Sequence, residues 1–164
     1  MPFTVYEHTR KNSENFNSIE PLLLSIPLKE EHLDIRYIDG INYELLVSFS
    51  YKPPVDIIDK EISVPVGFVT DFASIPKILW PVLPPTGPYG KAAVLHDWCY
   101  RTGMVSRLTS DNILYHAALE LGTPTFKAWL IYEGVRIGGS SSYCDYNSIK
   151  ARRNRSIWLQ QPPD

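Results

Sequence analysis

Residues 91–103 read KAAVLHDWCYRTG, and this stretch organises the whole chain. Ala92, Ala93, Leu95, Trp98 and Cys99 are residues that a packed helix uses, and Gly103 suits the left-handed position just past a helix end. His96, Asp97 and Tyr100 stand among them. A helix that buries its flanks can hold such groups only if each finds a partner or performs chemistry. Residues 91–102 are therefore predicted as a core helix, with His96 and Tyr100 on one face and Asp97 and Arg101 on another. Neighbours on a helix differ by about 100°, so His96 and Asp97 must look to different partners.

Two more helices follow from the punctuation. Residues 109–121 start at Thr109 or Ser110 and stop at Gly122. Residues 124–137 place Pro124 at the first helical position and end at Gly138-Gly139. The linker TGMVSRLT is short, which makes the first two helices antiparallel neighbours and brings Asp111 within reach of His96 or Tyr100. A carboxylate on one imidazole nitrogen would fix the tautomer and leave the other nitrogen as a base.

Upstream the period changes. LDIRYI and INYELLVSFSY alternate around Asp39-Gly40 and predict a hairpin over about 33–51. EISVPVGFVT (61–70) reads as one further strand, with Pro65 at an edge or bulge. TDFASIP then supplies Thr70, Asp71 and Ser74, either as turn formers or as site groups beside the start of the 91–102 helix, together with Gly87. Pro81, Pro84, Pro85 and Pro88 keep the following stretch from forming a long helix.

The expected architecture is α+β: an N-terminal β-hairpin or small antiparallel sheet packed on a C-terminal three-helix unit. The 164 residues divide into an arm (1–32), strands (33–70), a proline-rich loop (71–90), helices (91–138) and an extended C-terminal arm (139–164), all in one domain. Trp80, Trp98, Trp129 and Tyr115 are read as packing residues, His116 as a packed or surface group, and His8 and His32 as solvated. Lys150, Arg152, Arg153 and Arg155 read first as a solvated face, second as a phosphate or partner contact.

The net charge of −2 gives no reason to expect nucleic acid as main partner, and the longest N-terminal apolar run, Leu22 to Ile26, is too short to span a bilayer. An integral membrane protein is not expected, nor is an export signal seen. Cys99 and Cys144 form neither a disulfide framework nor a metal spacing. P-loop, dinucleotide, zinc and G-x-S-x-G elements are missing from the sequence.

VPVGFVTDFASIP, LPPTGPYGKAAVLHDWCYR and SRLTSDNILYHAALELG together resemble a family of uncharacterised proteins common in bacteriophages and prophages, over about residues 61–138. That resemblance implies a phage setting: synthesis in the bacterial host cytoplasm, incorporation in the virion, and other phage structural proteins as partners. A shorter pattern, H-D-x-C-Y with a later Asp, is similar to the secreted phospholipase A2 centre. It implies His96 as base for a water, Asp111 as its orienting carboxylate, Tyr100 as a structural hydrogen bonder and Asp97 as a Ca²⁺ ligand. The glycine- and cysteine-rich calcium loop and the disulfides of that family have no counterpart here. Two functions are thus expected: a virion- or tail-associated structural protein in which His96, Asp97 and Asp111 lock the helices, or a hydrolase directed at host envelope lipid or cell wall.

Overall fold

The computed structural model describes residues 26–27, 32–72 and 87–159, the side chains of 26–27 and 157–159 excepted. Among these described residues six strands come first: β1 (Ile26–Pro27), β2 (Ile35–Asp39), β3 (Asn42–Leu45), β4 (Phe49–Tyr51), β5 (Ile62–Val64) and β6 (Val69–Thr70). Four helices follow: α1 (Gly90–Thr102), α2 (Arg107–Glu120), α3 (Thr125–Gly138) and α4 (Ile149–Leu159), with a 3₁₀ turn at Gly139–Ser141. The fold is α+β, as its pattern of alternation followed by helical periodicity predicts.

The expected hairpin is present as β2–β3, but the strands beyond it divide differently from the expected pattern of one hairpin and one further strand. Together the six form two three-stranded sheets, ordered β1-β4-β5 and β2-β3-β6. Each of the two long alternating stretches bends and serves both sheets. β3 pairs antiparallel with β6, and β4 antiparallel with β5. Hydrogen bonds from Leu45 N to Phe68 O (2.9 Å) and from Gly67 N to Leu45 O (2.7 Å) carry the pairing into the bend. Pro65 explains the break in 61–70, since it cannot donate to a ladder and turns the strand instead. β1 pairs parallel with β4, so part of the N-terminal arm belongs to a sheet.

The β2–β3 turn also sits one residue later than the dipeptide suggests. Asp39 pairs with Asn42, leaving Gly40 and Ile41 as the turn, with a bulge between Tyr37 and Asp39. Gly40 has φ +50°, and Ile41 is not among the residues with positive φ. A turn that needs positive φ only at its first central residue accepts a β-branched second one.

Helix α1 is the hub. Every residue from Gly90 to Tyr100 is buried, because strands, α2 and α4 all pack on it. Trp98 meets Phe68 edge-on at 5.3 Å, and Lys91 lies over the Phe49 ring at 5.7 Å. One buried cluster runs from Leu45, Phe49 and Val64 through Leu95 and Trp98 to Ile113, Ala128 and Ile131. Gly103 closes α1 at φ +62°, where a Cβ would lie 2.3 Å from Cys144 O. No larger residue fits there.

The C-terminal segment is a helix rather than an extended arm, for a reason that lies in α1. The last carbonyls of a helix need donors from elsewhere. Cys144 N donates to Tyr100 O (3.0 Å), Asn154 Nδ2 to Arg101 O (2.9 Å), and the Arg155 guanidinium to Thr102 O. Docking on α1 is what orders α4. Two helix starts also shift: Ser106, not Thr109 or Ser110, caps α2 by accepting Thr109 N (3.1 Å), and Pro124 stands before the first turn of α3 rather than within it. Trp129 is 47% exposed and stacks on exposed Phe126, so it is not a core residue, whereas Trp98 is. Trp80 and His8 lie outside the described residues. No helix among the described residues is long and apolar enough to cross a membrane.

Candidate functional site

The antiparallel packing of α1 on α2 sets Asp111 opposite His96. His96 Nε2 lies 2.8 Å from Asp111 Oδ1, and the Tyr100 hydroxyl donates to the same oxygen at 2.6 Å. The i, i+4 spacing stacks the His96 and Tyr100 rings with centroids 4.0 Å apart, so one carboxylate oxygen serves both. The other oxygen, Oδ2, accepts from Arg136 Nη1 at 2.6 Å, which ties α3 to the pair. Arg107 completes the ring: its Nε donates to the Tyr100 oxygen (3.3 Å) and its Nη2 to Val135 O (3.1 Å) at the end of α3.

The electrostatics follow. Burial pushes the Asp111 carboxyl up, but the hydrogen bonds from His96, Tyr100 and Arg136 outweigh it and hold the group below the ordinary carboxylate value. Asp111 is therefore a carboxylate that can only accept, so His96 Nε2 is the donor of their bond. In the neutral tautomer that donates from Nε2, the lone pair resides on Nδ1. Burial and the bond to Asp111 both raise the Tyr100 phenol, which stays a donor. The Arg136 guanidinium, held by Asp111, is shifted upward in turn and neutralises the buried charge.

On the other side of α1 the arrangement is different. Asp97 Oδ2 accepts from the Thr70 hydroxyl (2.8 Å) and from Arg101 Nη2 (3.2 Å). Arg101 also donates to Val69 O (3.0 Å) and Asp71 Oδ1 (3.3 Å), and lies over the Phe68 ring at 5.5 Å. Burial raises the Asp97 carboxyl; Arg101 opposes, the nearby Asp71 reinforces, and Thr70 and His96 oppose more weakly. The net direction is up. Thr70 does double duty, since its oxygen accepts Phe72 N at 3.2 Å. Phe72 sits at φ +52°, a left-handed conformation that costs a bulky L-residue about 1–2 kcal/mol. Its burial against Tyr43 (5.4 Å, edge-on) and the Thr70 bond hold it there.

The sequence reading set His96 and Tyr100 near Asp111 on one side and Asp97 with Arg101 on another, and both groups are in contact in the structure. Asp71 meets the C-terminal half of α1, not its start, because β6 runs beside Arg101. Gly87 belongs to the opposite end of the helix. Its carbonyl accepts Gly90 N (3.0 Å), and a Cβ there would stand 2.4 Å from the Tyr89 ring, so it shapes the turn into α1. Ser74 lies outside the described residues. His116 is half-buried with its ring edge-on to Tyr115 at 5.5 Å, and His32 is exposed.

Arg136 and Arg107 were not anticipated. Arg136 had one signal: it is the basic residue in the last turn of TFKAWLIYEGVRIG, two residues before the double glycine. For calcium, the residues do not fit. The Asp97 oxygen it would take is shared by a hydroxyl and a guanidinium, and no group of three or more His, Cys, Asp or Glu among the described residues could hold a metal.

Comparison with known proteins adds a family. The chain belongs to the DUF1353 family, proteins of unknown function, whose profile matches residues 43–135. That match runs from β3 into the end of α3 and contains His96, Asp97, Tyr100 and Asp111, but stops one residue short of Arg136. The chain is also similar to the uncharacterized protein y4jT of Sinorhizobium fredii, 31% identical over 99 residues, which cover 59% of this chain and 29% of that protein. This chain thus spans less than a third of the relative's length. No solved structure matches.

Proposed function

We propose that this chain is an ester hydrolase of phage origin, directed at host envelope lipid and carried with the virion or tail, in which His96 is the base. One observation carries the reading: Asp111 Oδ1 receives both His96 Nε2 and the Tyr100 hydroxyl. These are the two roles that the likeness to the phospholipase A2 centre assigns to Asp111 and Tyr100. In the proposed step, Nδ1 takes a proton from water while the water oxygen bonds to the ester carbonyl carbon. The imidazolium then gives that proton to the departing alcohol oxygen as the carbon–oxygen bond breaks. Asp111 holds the ring and balances its charge, and Arg136 keeps Asp111 ionised. His96 is 1% exposed, so substrate reaches it only through local opening of the surrounding chain.

The purified full chain, mixed with phosphatidylglycerol vesicles, should release fatty acid and lysophospholipid at the same rate with calcium or with a chelator. His96→Gln should lower that rate by about 10²–10⁴-fold while keeping the helical circular-dichroism signal. Absence of release by the native chain, or release unchanged in His96→Gln, overturns the proposal.

A second reading, a virion structural protein, is favoured by a separate observation. The Asp111 network joins α1, α2 and α3 with both His96 and Asp111 fully buried, as a lock would be. On that reading phage carrying His96→Gln yields infectious particles if the protein still folds; on the hydrolase reading intact particles lose infectivity.

A further inference from the structure

The basic run near the C-terminus is divided by its helix into two jobs. Ala151 is buried, while Asn154 and Arg155 are spent on the carbonyls of α1, and Arg155 also covers the Tyr146 ring at 3.8 Å. Lys150, Arg152 and Arg153 are exposed on the remaining face. Arg152 holds Asn147 O at 2.9 Å, which stiffens the start of α4 behind its Ser148 cap, where Ala151 N meets Ser148 Oγ at 3.1 Å. Helix α4 contains no acidic residue, although the chain as a whole carries −2. Ile149 is 82% exposed and Tyr146 53% exposed beside these cations.

We infer that the outer face of α4 docks on an anionic lipid bilayer. Cations alone would suit any polyanion. Exposed Ile149 and Tyr146 next to them add what a nucleic acid does not need and a headgroup–acyl boundary does: apolar surface to insert beneath the phosphates. The charges confer selectivity for anionic lipid, and the apolar pair gives a component of binding that salt does not screen. Because α4 caps the carbonyl end of α1, docking is transmitted to a rigid part of the molecule rather than to a loose tail. The inference concerns binding alone and stands whether or not His96 is a base.

The test is co-sedimentation of the full chain with vesicles of phosphatidylcholine, or of equal parts phosphatidylcholine and phosphatidylglycerol. Binding to the mixed vesicles only, weakened by added salt, is expected. The double variant Lys150→Gln, Arg153→Gln should lower partitioning about 30-fold, since each basic residue near such a surface contributes roughly a factor of five. Among the described residues neither side chain has a hydrogen-bond or ion-pair partner, so the variant's melting temperature should match the native chain's. Ile149→Ser should weaken the binding that survives high salt. Equal binding to neutral vesicles, a double variant that binds like the native chain, or tighter binding to duplex DNA than to the mixed vesicles at the same salt would each overturn the inference.

Discussion

His96 and Asp97 are adjacent in sequence, yet the two sides of α1 that they serve treat a buried carboxylate in opposite ways. Toward α2 and α3, Asp111 is fully buried but over-supplied with donors, so its charged form wins. Toward the strands, Asp97 shares one guanidinium with Asp71 and faces that second carboxylate, so desolvation wins. Among the described residues Asp111 has three donors, whereas Asp97 has two and a second carboxylate beside it. The first side is a place where a base can be held in one orientation. The second is a joint that fastens the strained Phe72 to the helix through Thr70.

The largest effect should come from the well-supplied side. Asp111→Ala leaves Arg136 and His96 facing a cavity that had held a charge, and should cost about 3–5 kcal/mol in denaturant unfolding. A loss below about 1 kcal/mol would show that the network is ornamental. On the strand side, Thr70→Val removes a donor to Asp97 and an acceptor for Phe72 N, and should cost about 1–3 kcal/mol by the same measurement. Asp97→Asn should be the mildest, within about 1 kcal/mol of the native chain at neutral pH and on the stabilising side.

The pH profile sharpens the contrast. Asp111 is lowered in the folded state, so its contribution is present above the ordinary carboxylate value and is lost as pH falls through the folded value. Asp97 is raised, so its contribution is present below the ordinary value and is lost as pH rises through the folded one. Urea midpoints measured across this range should therefore show Asp111→Asn with a shallower acid decline. Asp97→Asn should instead lose the decline on the rising-pH side. The same profile in both variants would erase the distinction.

The helical half was legible because its signals are local. Gly103 and Gly122 take left-handed positions just past α1 and α2, α3 gives way to a 3₁₀ turn at Gly138-Gly139, and i, i+4 spacing alone put His96 with Tyr100. Asp111 followed from one short linker. The sheets were not legible in the same way: β3 with β4, and β5 with β6, each read as one strand, and only the pairing across the bend shows where they divide. Helix α4 was missed because its order comes from the carbonyls of α1, which no local pattern reports. Arg136 and Arg107 escaped for the same reason, since a cation's partner lies in another helix.

The central claim is that Asp111 fixes His96 with its proton on Nε2. Long-range ¹H–¹⁵N correlation spectra of the ¹⁵N-labelled chain read the tautomer of each imidazole, and His96→Gln assigns the signal. The account predicts that neutral His96 shows a protonated Nε2 and a pyridine-type Nδ1, and that Asp111→Asn abolishes this preference. A protonated Nδ1 in the native chain would contradict it.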